Sequence, residues 1–178
     1  MKTIISKSGK KITFRAPQKD DLDALYKYAK KIEVEDTFIT LNPQEPLTYK
    51  EEKKFLSSFI KDVKAGKKVH VFALDENKII GMCHVHKQGR RSGHVGQMGI
   101  ALLKKYRSEG IGRKLAKHVF ALAKKQLKIS KITLFCFINN KIALSFYKKL
   151  GFIQFGHLPQ ANQYKGELID SLYFYKNI

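Results

Sequence analysis

One stretch of the sequence, residues 99–127, joins a short apolar strand pattern to an amphipathic helix pattern through two closely spaced glycines. The apolar segment ends near Leu103, Gly110 and Gly112 follow, and the apolar positions beyond Gly112 recur at helical spacing. A helix that begins directly after such a turn presents unpaired backbone N–H groups and the positive end of its dipole, which together bind anions. The stretch therefore predicts a phosphate site where a strand passes into a helix.

The chain as a whole indicates one soluble domain. Its 178 residues suffice for a full hydrophobic core, and no repeat or Pro/Gly/Ser-rich linker divides them. No apolar run reaches the ~18 residues that span a bilayer, and the first residues lack the apolar core of a signal peptide. Cys83 and Cys136 lie in apolar strand-like runs, which indicates buried thiols in a reducing compartment. We predict a single domain over residues 1–178, in the cytoplasm and without membrane contact.

Net charge is the strongest compositional feature, at +20 for pH 7. A charge of this size attracts phosphates of any kind. Most of it comes from lysines spread along the whole chain rather than from a compact arginine cluster. This distribution favours a solvated surface, and a dedicated nucleic-acid face is the alternative.

Hydrophobic periodicity along the chain predicts a mixed α/β domain. The predicted elements are a strand over residues 11–17, a helix opened by Asp20 and Asp21, a helix over residues 49–65 with a capping box of Thr48 and Glu51, a hairpin around residues 75–78, a strand over 95–103, a helix over 110–127, a strand over 131–138, a helix over 140–150, and strands over 152–157 and 167–177. Gly96 and Gly99 interrupt one strand, which indicates a bulge or a close backbone approach. Residues 33–48 lack periodicity and are predicted to form a functional loop.

Two common nucleotide motifs do not fit the glycine turn. A Walker loop needs Lys and then Ser or Thr after its second glycine, whereas Arg113 and Lys114 follow Gly112. A dinucleotide fingerprint needs a third glycine where Leu115 stands, and an acidic residue about 20 positions later. Both classes are therefore excluded on sequence grounds.

Two segments at matching spacing resemble the GNAT family of N-acetyltransferases. Residues 107–112, "RSEGIG", are similar to that family's pyrophosphate loop and follow the "GIAL" strand, and residues 140–152, "NKIALSFYKKLGF", are similar to its Asn-x-x-Ala-x-x-x-Tyr-x-x-x-Gly-Phe segment. The resemblance runs from about Ile12 to the C-terminus, and Lys104 departs from it because many members have proline there. It implies a central, splayed, mostly antiparallel sheet flanked by helices. It also implies an acetyl-CoA-dependent enzyme that acetylates a primary amine by direct attack in a ternary complex.

The resemblance also implies roles for individual residues. The pantetheine arm would pair with the backbone of Ile100, Ala101 and Leu102. The pyrophosphate would be held by the main chain of Ser108, Glu109, Gly110, Ile111, Gly112 and Arg113, with added charge from Arg107 and Arg113. The cofactor arm would also contact Asn140. Tyr147 would lie near the thioester sulfur and protonate the departing thiolate. From the residues alone, Tyr147 is also consistent with an ordinary aromatic on the apolar face of a helix, beside Phe146.

The general base is less clear from the sequence. Many family members have a glutamate where this chain has Gln97, and glutamine cannot accept a proton. Other candidates are His94, the pair His84 and His86 on one strand face, and the acidic residues Glu33, Glu35 and Asp36. We select His94, acting through a water. A metal site is not predicted, because Cys83 points away from the histidine pair and a fourth ligand is missing.

The acceptor is not determined by the sequence. Residues 33–48 and the C-terminal hairpin at 157–167 are the expected determinants of acceptor choice, and Glu33, Glu35 and Asp36 would attract a cationic amine such as a polyamine, an aminoglycoside or a protein N-terminus. Dimers are common among similar proteins, so a homodimer is one expected assembly. The alternative function is a non-catalytic module in which the same fold binds acyl-CoA, RNA or the ribosome.

Overall fold

A computed structural model of the chain describes residues 1–35, 38 and 45–178. Its regular elements are β1 (Lys2–Ile5), β2 (Lys11–Arg15), α1 (Leu22–Glu35), α2 (Tyr49–Lys64), β3 (Lys68–Asp75), β4 (Lys78–Lys87), β5 (Val95–Leu102), α3 (Ile111–Leu122), β6 (Lys131–Phe137), α4 (Lys141–Lys149), β7 (Ile153–Tyr164) and β8 (Glu167–Asn177). The predicted mixed α/β class is confirmed.

One sheet joins the eight strands in the order β1-β2-β3-β4-β5-β6-β8-β7. Every neighbouring pair is antiparallel except β5 and β6, which run parallel. The β5–β6 pairing covers Val95 to Gln97 against Lys131 to Thr133 and then ends, although both strands continue. We call the gap between residues 98–102 of β5 and residues 134–137 of β6 the β5–β6 opening. The predicted splayed, mostly antiparallel sheet is therefore confirmed.

Helices cover both faces of the sheet. Phe59 of α2 packs on His70 of β3, with ring centroids 4.0 Å apart. His118 of α3 stacks on Phe14 of β2 from the opposite face, at 6.0 Å. The apolar stripe of α3, which includes Leu115 and Val119, is fully buried. The β5–β6 opening is thus reachable from an α1/α2 face and from an α3/α4 face.

Several predicted elements have the expected bounds, and others differ. The Thr48–Glu51 capping box starts α2, and the 75–78 hairpin turn joins β3 to β4. Strand β1 was not predicted, since four residues carry too little periodicity to be recognised. The first three residues of the loop predicted at 33–48 are helical, because α1 continues to Glu35. Most of the remainder, residues 36–37 and 39–44, lies outside the described residues.

A bulge in β5 is contradicted by the structure. The β4–β5 register runs without a shift from Lys87 opposite Gly96 to Gly81 opposite Leu102. The other interpretation, a close backbone approach, is not what the structure shows either, because side chains occupy the space: a Cβ on Gly96 would stand 2.5 Å from Val85 Cγ1. The glycines therefore make room for neighbouring side chains rather than for an extra residue.

Candidate active site

The backbone of β5 alternates between its two neighbours. Leu103 N–H donates to the Ile80 carbonyl at 2.9 Å, and Gln88 N–H donates to the Val95 carbonyl at 2.9 Å, so odd-numbered residues of β5 bond to β4. In an antiparallel pair the residues between them direct N–H and C=O to the other side. Met98, Ile100 and Leu102 therefore direct their backbone groups into the β5–β6 opening.

The three residues predicted to contact the pantetheine arm direct their backbone groups to different sides of β5. The backbone N–H and C=O of Ile100 face the opening. The Leu102 carbonyl faces it too, but it already accepts a hydrogen bond from Arg107 Nε at 2.9 Å. Ala101 turns its backbone to β4, and its carbonyl also accepts a hydrogen bond from the Tyr28 hydroxyl at 3.2 Å. Of the three, Ile100 is the residue with both backbone groups directed at the opening.

The glycine turn ends as a helix N-terminus beside this opening. Ser108 and Gly110 both adopt the left-handed region, with φ of 65° and 77°, and α3 begins at Ile111. The first N–H groups of a helix have no partner inside it. Those of Ile111, Gly112 and Arg113 consequently form a cluster of backbone donors at the positive end of the α3 dipole. The predicted phosphate loop has the geometry that anion binding needs.

Glu109 has a structural task in that loop. Its Oε2 accepts a hydrogen bond from Ser8 N–H at 2.8 Å, and its carbonyl accepts one from Lys7 N–H at 3.2 Å. The hydrogen bonds from Ser8 hold the pKa of Glu109 below its ordinary value. The carboxylate is therefore directed towards the β1–β2 turn, which it fastens to the loop.

Arg107 pairs with the last residue of α1. Its guanidinium lies 2.7 Å from Glu35 Oε2, and Glu35 Oε1 accepts a hydrogen bond from Lys104 N–H at 2.7 Å. Arg107 thus ties the end of α1 to the turn after β5, and its contact with the pyrophosphate remains a prediction. The exposed Arg113 remains on the first turn of α3.

Tyr147 packs on Phe174 of β8, which pairs with Leu134 of β6, on the α3/α4 face. Three residues beyond the last β5–β6 pair, Ile100 and Cys136 stand on either side of the opening, and Cys83 of β4 pairs with Ile100. Burial raises the pKa of Tyr147 well above its ordinary value, and the nearby thiols of Cys136 and Cys83 raise it further. The phenol is therefore protonated at neutral pH, and it lies near enough to Cys136 of β6 and Cys83 of β4 for their charges to affect it.

Asn140 caps the helix that carries Tyr147. Its Oδ1 accepts a hydrogen bond from Ala143 N–H at 3.0 Å, which satisfies a free donor at the start of α4. Tyr147 follows two helical turns later and packs on Phe152 and Phe174. The structure assigns Asn140 a positioning task, and its contact with the cofactor arm remains a prediction.

His94 lies at the closed end of β5. Its carbonyl accepts hydrogen bonds from the N–H groups of Ser130 and Lys131, at 2.9 and 3.2 Å, and its side chain is exposed. Five residues of strand separate it from Gly99, a distance of about 17 Å. The structure does not bring His94 to the opening, so its choice as the base is not supported.

The acidic candidates are also occupied or undescribed. Glu33 is buried and lies 2.6 Å from Lys30 Nζ, and Glu35 is paired with Arg107. Asp36 lies outside the described residues. Neither Glu33 nor Glu35 presents a free carboxylate to a cationic acceptor.

Two buried polar residues on the α1/α2 face were not selected from the sequence. Tyr28 of α1 reaches Ala101 of β5, as described above. Glu52 of α2 is buried, its Oε1 has no hydrogen-bond partner among the described residues, and burial raises its pKa to about 7. A sequence signal for Glu52 exists: it shares the i, i+4, i+7 stripe with Leu56 and Phe59, where an apolar residue is expected.

Comparison with known proteins gives one family and several similar structures. The sequence model of the Acetyltransferase (GNAT) family matches residues 27–152. A curated relative is the L-amino acid N-acetyltransferase AaaT of Escherichia coli K12, 27% identical over 99 residues, which are 55% of this chain and 61% of that protein. The chain therefore spans less than two thirds of this relative's length.

Solved structures share the fold across nearly the whole chain. A ribosomal-protein S5 alanine acetyltransferase from Vibrio fischeri is 19% identical with a TM-score of 0.84, covering 98% of this chain and 97% of its own. RimL, an alpha-N-protein acetyltransferase of ribosomal L7/L12 solved with coenzyme A, is 16% identical with a TM-score of 0.82 and covers 94% of each chain. Within the described residues, no helix is long and apolar enough to cross a membrane.

Proposed function

Because the chain belongs to the acetyltransferase (GNAT) family, we propose that it transfers the acetyl group of acetyl-CoA to a primary amine. The observation that carries this proposal is the arrangement around the β5–β6 opening. Backbone groups of β5 face it, the donor cluster at the start of α3 follows the turn after β5, and Tyr147 packs on Phe174 of β8, the strand beside β6. In the proposed function, the opening would hold the pantetheine arm of acetyl-CoA, the donor cluster would hold its phosphates, and Tyr147 would donate a proton.

The described residues fit acetyl-CoA as the acetyl donor. Ile100 would bind the pantetheine arm through its N–H and C=O, and Ile111, Gly112 and Arg113 would bind the pyrophosphate through N–H groups. The structure of RimL with coenzyme A supports the same choice of donor. Bound acetyl-CoA supplies an activated acetyl group, and the chain holds that group beside the acceptor.

Tyr147 donates the proton that the leaving thiolate needs. Its raised pKa keeps the phenol protonated at neutral pH, and the influence of the Cys136 thiol on that pKa supports a position near the β6 side of the opening. The oxyanion of the reaction needs a donor as well, and an N–H of Met98 or Ile100 faces the opening for this purpose. The reaction is thus a direct attack with both substrates bound.

The acceptor is a primary amine of a small molecule, a protein or a peptide. AaaT acts on L-amino acids, and the ribosomal-protein enzymes act on protein amines, so similar proteins include both kinds. One continuous sheet supports a single domain over residues 1–178, and we propose that this domain works in the cytoplasm.

The test has a binding arm and a turnover arm. Isothermal titration should give micromolar binding of acetyl-CoA, and a screen of amino acids, polyamines, aminoglycosides and peptides should release free CoA with at least one amine. Tyr147→Phe should lower kcat about 100-fold with little change in acetyl-CoA affinity. Tyr175→Phe, a hydroxyl deletion on β8, is the matched control. Absence of binding would refute the proposal, and unchanged turnover in Tyr147→Phe would remove its acid role.

The net charge of +20 favours a second candidate function, in which the fold binds RNA or the ribosome. Binding of this kind depends steeply on salt. Fluorescence anisotropy with a structured RNA at two salt concentrations would support it if affinity is high and strongly salt-dependent. Weak binding at both concentrations would exclude it.

A further inference from the structure

His84 of β4 occupies the space that Gly99 leaves open on β5. The two residues are cross-strand partners. A Cβ built on Gly99 would stand 2.5 Å from His84 Cε1 and 2.9 Å from Nε2, so any side chain at residue 99 would displace the ring. The imidazole therefore lies over the backbone of β5, two residues beyond the last β5–β6 pair at Gln97.

His84 and Tyr147 lie on opposite faces of the sheet at this level. His84 shares its face with His70, its partner on β3, and His70 packs under Phe59 of α2. Tyr147 approaches Cys83, the next residue of β4, whose side chain points to the other face. The opening thus has an imidazole on its α1/α2 side and a phenol on its α3/α4 side.

We propose that His84 is the base that takes the proton of the acceptor amine, directly or through one water, as the amine attacks from the α1/α2 face. This inference rests on the proposed acetyl transfer. Each face of the opening would then have one proton transfer: His84 takes a proton from the amine on the α1/α2 face, and Tyr147 gives one to the departing thiolate on the α3/α4 face.

The ring is available as a proton acceptor. Its Nδ1 is buried without a hydrogen-bond partner among the described residues, and both ring nitrogens of His70 share that condition. Buried polar atoms in native proteins are nearly always paired, so an unpaired imidazole here calls for a partner. A substrate amine or a bound water supplies one.

The surroundings keep His84 neutral. Burial lowers its pKa to about 4, and the charges of Lys68 and His86 lower it further. Further titratable groups on the described elements packed against this face include His70 of β3, Tyr28 of α1 and Glu52 of α2. A neutral imidazole has a free lone pair for a proton at neutral pH, and its lowered pKa makes it a weak base that holds the proton only until water removes it.

The proton balance is complete without a further reactant. The acceptor enters as the free amine, its nitrogen forms the C–N bond, and the C–S bond to coenzyme A breaks. The proton lost by the nitrogen goes to His84, and the thiolate takes the proton of Tyr147. His84 then returns its proton to water and Tyr147 regains one, so the sum is amide and free thiol.

The test compares His84→Gln and His84→Phe with His86→Gln. His86 lies two residues along the same strand face and is exposed, which makes it the matched control. The assay is CoA release with whichever amine of the acceptor panel the wild type uses, over pH 6–10. The expected result for both His84 variants is a kcat about 100-fold lower at pH 7 with acetyl-CoA affinity unchanged. The deficit should shrink at high pH, where hydroxide replaces the base, and His86→Gln should behave as wild type.

Each outcome decides one claim. If wild type releases no CoA with any amine, the proposed function fails and the base role fails with it. If wild type turns over and the His84 variants match it, the base role alone is wrong. A deficit that stays constant across pH would also overturn it, since a residue that only shapes the site lowers kcat equally at every pH. Unchanged acetyl-CoA binding in both variants shows that they are folded.

Discussion

Burial of Glu52, whose Oε1 has no hydrogen-bond partner among the described residues, has a measurable consequence for stability. Its pKa rises from an ordinary 4.5 to about 7 because α2 holds the side chain against the sheet. A raised carboxyl pKa means that the folded protein binds the proton more tightly than the unfolded chain. Stability is then full below pH 4.5 and is lost as pH rises towards 7. The shift corresponds to about 3 kcal/mol, at about 1.4 kcal/mol for each pKa unit.

Glu52→Gln removes this cost because the amide is neutral at every pH. We expect its free energy of unfolding at pH 8 to exceed that of wild type by up to about 3 kcal/mol, and the difference to vanish near pH 4.5. Urea unfolding at several pH values measures both numbers, and Glu167→Gln, at the exposed start of β8, is the control. Equal stabilities at pH 8, or a less stable variant there, would refute the account of Glu52 as a buried carboxylate with a raised pKa.

Two further substitutions test the elements that build the site. Gly110→Ala should lower the free energy of unfolding by about 1 kcal/mol and weaken acetyl-CoA binding. The cause is backbone strain, because residue 110 has a φ of 77° while a Cβ there would meet nothing closer than 4.0 Å. Thermal unfolding and titration should show no such effect for Gly89→Ala, and equal behaviour of the two variants would contradict the strain argument. Asn140→Ala should remove the α4 cap and lower the free energy of unfolding by about 1 kcal/mol. Urea unfolding measures the loss, with Asn139→Ala as the control, and an unchanged midpoint would show that the cap contributes nothing.

Local sequence patterns predicted most of the elements because each pattern is set by neighbouring residues. The helix after Gly112 and the capping box at Thr48 follow directly from spacing. The role of Gly99 did not follow, because it depends on the His84 ring across the strand pair. A glycine inside a strand is compatible with a bulge and also with a neighbouring side chain that occupies the space of the missing Cβ, so the sequence does not separate the two.

The candidate site was predicted in part for the same reason. The phosphate loop and Tyr147 belong to contiguous motifs, and the loop forms the helix N-terminus that its glycines predict. The choice of His94 failed because the opening starts only where β5 and β6 stop pairing, after Gln97, and no local pattern marks that point. The ion pair of Arg107 could not be predicted from local sequence either, since its partner Glu35 is 72 residues away in sequence.

The central claim is that acetyl-CoA lies in the β5–β6 opening with its phosphates at the start of α3. Amide chemical shifts of ¹⁵N-labelled protein, recorded while acetyl-CoA is added, test it most directly. The N–H groups of Ile100, Ile111, Gly112 and Arg113 should shift strongly, whereas Ala101, whose N–H is directed to β4, should shift less than Ile100. Shifts confined to other surfaces, or no shifts at saturating acetyl-CoA, would contradict the account.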